Sequence, residues 1–181
     1  RIRAFVEKPA PGTEPSRLIN AGTYVFEPSV LELIEPGVKV SVERDTFQRL
    51  VEAGSINGIA TDDYWIDAGR PELYRAANLD LLDGARRFDR CEPVAATATV
   101  AVGATIVNSI IGDGASVADG SIVTDSVVLP NAVIESGAHV ERSLVMGAIG
   151  SDAHVVDSMI GARGVVGSGA VLAGAAVPDG S

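Results

Sequence analysis

The stretch Asn108-Ser109-Ile110-Ile111-Gly112-Asp113-Gly114-Ala115-Ser116-Val117-Ala118-Asp119-Gly120-Ser121-Ile122-Val123-Thr124-Asp125-Ser126-Val127-Val128 decides the fold. It opens and closes on the same phrase: a polar residue, a serine and two aliphatics. The phrase returns as Arg142-Ser143-Leu144-Val145 and as Asp157-Ser158-Met159-Ile160, at intervals of 17, 17 and 15 residues. Between the phrases aliphatics fall near every sixth position: Ile111, Val117 and Val123, then Val128, Ile134 and Val140. Gly, Ala, Asp and Ser fill the gaps. A period of about six nested in one of about eighteen specifies a parallel β-helix with three short faces per coil. No coil of that kind can bury its aliphatics except by stacking on its neighbours. The recurrences and their flanks predict about five coils over residues 94–181. The short last interval predicts a tighter or distorted coil near Gly147 to Ser151.

Outward from the repeats, the bulk composition sets limits. A chain of 181 residues makes one domain or two small ones. With 46% hydrophobic but only 4% aromatic residues, its core is expected to be mostly aliphatic and small. A formal net charge of -10 argues against nucleic acid as a partner, because phosphate contacts need a basic surface. The lone Cys91 allows no intrachain disulfide and fits a reducing, cytoplasmic setting. Residues 93–112 carry no charge and nearly reach the length of a membrane span. Pro93, Gly103, Asn108 and Gly112 interrupt them, and the charged repeats that follow keep the same rhythm, so no membrane partner is expected. The chain begins at Arg1 and runs straight into Ile-Arg-Ala-Phe-Val, which reads as a strand. We expect it to be the C-terminal part of something longer, with sheet partners upstream.

The first 82 residues read as mixed α/β. Strands are expected at 1–6, 18–26, 56–60 and 64–66. Helices are expected at 28–34, 41–53 and 71–82. Ser41 is placed as an N-cap and Gly54 as a stop, and the last helix carries Leu73, Ala76, Ala77 and Leu81 on one side. A charged connector, 83–93, then leads to the repeats. Several strand ends carry chemistry. Glu7 can accept from sugar hydroxyls and Lys8 can meet a phosphate as a point charge. A solvated strand end accounts for the same two residues. In Ile19-Asn20-Ala21-Gly22, small Ala21 and Gly22 would let a ligand approach the backbone, and Asn20 can donate and accept. A glycine bulge held by Asn20 is the structural alternative. In Tyr64-Trp65-Ile66-Asp67-Ala68-Gly69-Arg70-Pro71, Asp67 is the best candidate metal ligand, since a carboxylate at a strand end can bind Mg²⁺ and phosphates. Capping the turn before the helix would also explain it. Pro71 suits the first helical position and Glu72 the positive end of the helix dipole.

Singly these motifs are weak; in order they are specific. Glu7-Lys8-Pro9, Ile19-Asn20-Ala21-Gly22-Thr23-Tyr24, Ser41-Val42-Glu43-Arg44-Asp45-Thr46-Phe47, Trp65-Ile66-Asp67-Ala68-Gly69 and then hexapeptide repeats together resemble the sugar-nucleotide pyrophosphorylases. Among these the chain looks most like the mannose-specific guanylyltransferases. The resemblance covers the whole chain. It implies the C-terminal part of a Rossmann-like nucleotidyltransferase domain (1–82), a linker (83–93) and a left-handed parallel β-helix for assembly (94–181). It implies a sugar 1-phosphate and a nucleoside triphosphate as substrates, Mg²⁺ as cofactor, and a homo-oligomer formed through the β-helix. Carried over by position, Glu7 would bind sugar hydroxyls and Lys8 the sugar phosphate. Asn20, Ala21 and Gly22 would line the sugar pocket, and Asp67 would be the second of two aspartates holding Mg²⁺.

The family's glycine-rich nucleotide loop and its first metal-binding aspartate have no counterpart in these 181 residues. The chain is therefore expected to be inactive alone. Uridylyl-, thymidylyl- or adenylyltransferase activity on glucose 1-phosphate is the alternative within the family. A non-catalytic regulatory homologue and a hexapeptide acyltransferase are the alternatives outside it. The last would need His139 or His154, which both sit inside repeat units.

Overall fold

The computed structural model describes residues 1–6, 8–84 and 91–180, in two compact units, Arg1–Trp65 and Ile66–Ser181. Glu7 and residues 85–90 of the expected connector lie outside the described residues.

The second unit is the parallel β-helix, with five coils and three five-stranded sheets. One sheet holds Thr99–Val100, Ser116–Val117, Val133–Ile134, Ala148–Ile149 and Val165–Val166. The second holds Thr105–Val107, Ile122–Thr124, His139–Glu141, His154–Val156 and Val171–Ala173. The third holds Ile110–Ile111, Val127–Val128, Leu144–Val145, Met159–Ile160 and Ala176–Val177. Every strand pairs in parallel with its equivalent one coil on, so Ile106, Val123, Val140, Val155 and Leu172 form one inward column. Small Ala115, Ala132, Ala138 and Ala153 fill the corners of this aliphatic core.

A coil takes 17 residues rather than 18 because one of its three corners is only two residues long and opens on a left-handed residue. These residues are Asn108 (φ 42°), Asp125 (φ 47°), Arg142 (φ 45°) and Asp157 (φ 48°), the polar residue that opens each phrase. Their short side chains mostly suit that backbone region. The serine that follows each of these four residues is buried. Its hydroxyl donates to the carbonyl two residues back, at 2.7 Å for Ser109 and Ser126 and 2.8 Å for Ser143 and Ser158. It also accepts the N–H one coil on, at 3.0 Å from Ser126, Ser143, Ser158 and Ala175. Each serine thus gives an acceptor to an N–H that no sheet ladder reaches, and a second donor to a carbonyl that already takes a backbone N–H from the next coil.

The short interval is a two-residue corner. Met146-Gly147 joins strands that in the coil before are joined by Leu129-Pro130-Asn131-Ala132. The tightening thus sits at the leading edge of the expected 147–151. The next coil's backbone closes over it, and a methyl group on Gly147 would overlap the carbonyl oxygens of Gly164 and Gly161.

Helix α2, Pro71–Leu82, occupies the expected span with Pro71 in its first turn. It packs on the outside of the third sheet, where Leu79 and Leu82 meet Val127, Leu144, Ile110, Leu129 and Met159. The apolar side expected at Leu73, Ala76, Ala77 and Leu81 is therefore incomplete. The face on the β-helix runs through Leu79 and Leu82, and the packing boundary falls at Trp65/Ile66, before α2.

In the first unit the expected strands do not form: no sheet ladder joins residues 1–65 among the described residues. Alternating apolar residues favour extended backbone, but a strand also needs a neighbour for its N–H and C=O groups. Ile2 N–H does bond the Ile56 carbonyl at 3.1 Å, without a ladder forming around it among the described residues. Val25 and Ile59 stand 99% and 98% exposed. The helix expected at 28–34 is a 3₁₀ segment, Pro28–Leu33. The next opens as a π turn, Val42–Thr46, and continues as α1, Phe47–Glu52. Ser41 caps it, its hydroxyl accepting from Arg44 N–H at 3.3 Å, while Asp45 accepts from Ser41 N–H at 3.0 Å. Gly54 and Ser55 return their N–H groups to Val51 and Leu50 at 2.9 Å, closing the helix with a Schellman motif. Phe47 is fully buried, edge-on to Phe5 (4.9 Å) and Tyr24 (5.0 Å), with Phe26 at 6.1 Å. The scarce aromatic residues thus gather here, while the β-helix core stays aliphatic.

Among the described residues, no helix is long and apolar enough to cross a membrane.

Candidate functional site

Within the first unit, the structure gathers one group of the expected residues into a braced turn. Asn20 Oδ1 accepts the Gly22 N–H at 3.0 Å. Its Nδ2 donates to Glu43 Oε1 at 2.7 Å and to the Tyr24 hydroxyl. From the other side Trp65 Nε1 donates to the Ala21 carbonyl at 3.1 Å. Gly22 holds φ +72°, a backbone region that an L side chain resists. The result is an exposed Ala21-Gly22 turn held by a half-buried amide and carboxylate. Of the two readings of Asn20, the structural one is seen directly: it braces a glycine turn, and Ala21 and Gly22 of that turn are exposed. Lys8, also exposed, has φ +50° at the bend after the first segment.

Glu43 was not among the expected site residues. It reads as an acid in the first turn of a helix, and nothing local shows that it reaches Asn20, 23 residues away. The signal available was its place in the Ser-Val-Glu-Arg-Asp-Thr-Phe segment.

Asp67 belongs to the second unit. It is exposed, and its Oδ1 accepts the Gly69 N–H at 3.0 Å, so it does cap the turn before α2. That bond leaves the second oxygen clear of the turn. Mg²⁺ keeps several waters and takes one or two carboxylates together with substrate phosphates. One exposed carboxylate at a rigid turn fits half of that habit. No trio of His, Cys, Asp or Glu that could hold a metal occurs among the described residues.

On the β-helix, His139 and His154 occupy equivalent places on successive coils and stack with ring centroids 4.6 Å apart. They serve each other as packing partners. Beside them runs a polar column, in which Asn108 Nδ2 donates to Asp125 at 2.6 Å and Arg142 grips Asp157 through Nε and Nη2 at 2.8 Å. Arg142 also pairs with Glu141. The hydrogen bond from Arg142 holds the Asp157 carboxyl below the usual aspartate range, and the same bond raises Arg142.

Residues 1–84, which hold the braced turn, Lys8 and Asp67, match the family model for nucleotidyl transferases. They belong to the nucleotidyl transferase family. Residues 82–149 match the GlmU-like C-terminal hexapeptide model, in keeping with the coils. Over 153 residues, the chain is 36% identical to a mannose-1-phosphate guanylyltransferase of Mycobacterium tuberculosis. That alignment covers 78% of the chain and 42% of the relative. It is 32% identical over 112 residues to a mannose-1-phosphate guanyltransferase of Kluyveromyces lactis (62% of the chain, 28% of the relative). It is 41% identical over 71 residues to one of Candida albicans (39% and 19%). The chain thus spans less than half the length of the relatives it matches.

Proposed function

We propose that these residues form part of a sugar-1-phosphate nucleotidyltransferase that makes GDP-mannose from mannose 1-phosphate and GTP. A phosphate oxygen of the sugar phosphate attacks the α-phosphorus of the triphosphate, and the bond to the departing pyrophosphate breaks. The observation that carries this reading is the likeness to proteins named mannose-1-phosphate guanylyltransferase over 78% of the chain, with the motif set intact and in order. The chemistry asks the protein chiefly for alignment and charge neutralisation. Lys8 would meet the sugar phosphate and Glu7 the sugar hydroxyls. The Ala21-Gly22 turn would form the floor under the sugar, its backbone held in place by Asn20, Glu43 and Trp65. Asp67 would offer one carboxylate to Mg²⁺, which when bound offsets the negative charge of the phosphates. The β-helix would join copies of the chain, in the cytoplasm.

The test is pyrophosphate release by the full-length protein carrying these residues. Mannose 1-phosphate with GTP is offered beside glucose 1-phosphate with UTP, dTTP or ATP. Turnover with the mannose–GTP pair alone is expected. Turnover with a glucose pair alone would move the specificity, and no turnover with any pair would overturn the reading. The 181-residue chain assayed alone is expected to release no pyrophosphate.

A further inference from the structure

Asp67 stands at the front of a helix that is bolted to the β-helix. Only Ala68, Gly69 and Arg70 separate it from α2, and they have little freedom. The Gly69 N–H is tied to Asp67, and the Tyr74 N–H closes the first helical turn on the Arg70 carbonyl at 2.8 Å. Wherever α2 lies, the Asp67 carboxylate follows. The apolar side of α2, Leu79 and Leu82 on Val127 and Leu144, sets how closely the helix approaches the third sheet. Apolar burial is non-directional, so it resists sliding along the sheet only weakly. A directional bond supplies the missing constraint. Arg75, one turn before Leu79 on the same face, donates from Nη1 to the Asp125 carbonyl at 2.9 Å. That carbonyl belongs to a left-handed corner, where the sheet ladders leave it unused. The equivalent carbonyls of Asn108, Arg142 and Asp157 accept no hydrogen bond among the described residues. Of these four corners, the one that α2 crosses is the one that is capped.

We infer that the β-helix is the base plate on which the metal-ligand carboxylate of Asp67 is set, and that Arg75 is the positioning residue that fixes its register. This rests on the reading of Asp67 given above, and it gives the repeat array a part in the active site besides assembly. The variant Arg75→Met keeps the aliphatic stem and removes the donors. Arg75→Lys keeps a donor for the same carbonyl.

The experiment uses the full-length protein and two readouts that need no turnover. These are amide hydrogen exchange at Gly69 and Tyr74, whose N–H groups are the bonded ones, and Mn²⁺ binding followed by electron paramagnetic resonance, with Asp67→Asn as reference. In Arg75→Met we expect faster exchange at both amides and Mn²⁺ affinity lower by about tenfold, the scale typical of residues that orient a ligand. Arg75→Lys should restore much of both, and the thermal transition of the β-helix should stay in place. Unchanged exchange would overturn the inference. So would faster exchange with Mn²⁺ affinity unmoved, which would make the seam purely structural. Failure of the proposed reaction would show separately, as absent wild-type turnover with metal binding intact.

Discussion

Ser126 carries two hydrogen bonds that cannot be replaced from within the coil. In Ser126→Ala the Ser143 N–H loses its acceptor in a dry interior, and the Thr124 carbonyl loses a donor. A buried donor left unsatisfied costs about 1–3 kcal/mol. Denaturant titration of the variant should show a loss of that size, with the slope of the transition unchanged. Asp67→Asn is the contrasting case. The amide oxygen can still accept the Gly69 N–H, so the turn and the stability should persist. Turnover of the full-length protein should fall on the order of a hundredfold or more, because an anionic ligand is gone. Near-normal activity would reduce Asp67 to a turn residue. These two residues also mark how far sequence reading reached. The serines were visible as a repeated letter, and their ladder follows from the period. The hold of Glu43 on Asn20 was not visible, because the bond spans 23 residues and depends on how two irregular segments fold together.

At the level of elements, the corners distinguish one coil from another. In the two-residue corner Met146-Gly147, position 147 has no room for a side chain. Gly147→Ala should therefore destabilise the β-helix by roughly 2–3 kcal/mol, as overpacking against rigid backbone does. The same substitution at Gly167, where nothing lies within 4 Å of the added methyl, should be mild by comparison in the same titration. The left-handed corner of the next coil carries an electrostatic signature. Since Arg142 lowers the Asp157 carboxyl in the folded chain, the pair contributes in full at neutral pH and down to the ordinary aspartate range. From there its contribution declines as pH falls, and it is gone below the depressed folded value. Carboxyl NMR should find the Asp157 midpoint below that of free aspartate, and moved upward in Arg142→Met. The helices 41–53 and 71–82 were legible through their caps and breakers, all local signals. The face that α2 turns to the β-helix was not, since Leu79 earns its burial from Val127 and Leu144, far along the chain. The strands of the first unit failed for a related reason: alternation names a face but does not supply a partner.

For the whole molecule, the outer surface of the β-helix matters most. Outward positions carry Ile122, Val133, Val165 and Val171, the last two 62% and 78% exposed. Few charges stand among them. Light scattering of the purified protein at micromolar concentration should report an oligomer. A monomer there would remove the assembly role proposed for the coils.

The fifteen-residue coil has a consequence for how the chain finds its fold. In a uniform array every coil could stack on the wrong neighbour, displaced by one full period, and still bury valine on valine. The clipped corner breaks that equivalence. A side chain at position 147 would run into the Gly161–Gly164 backbone, so the coil that seats there must bring a glycine to that place. The missing pair of residues acts as an index notch, so that a misthreaded stack is rejected at one place and the count of coils is kept.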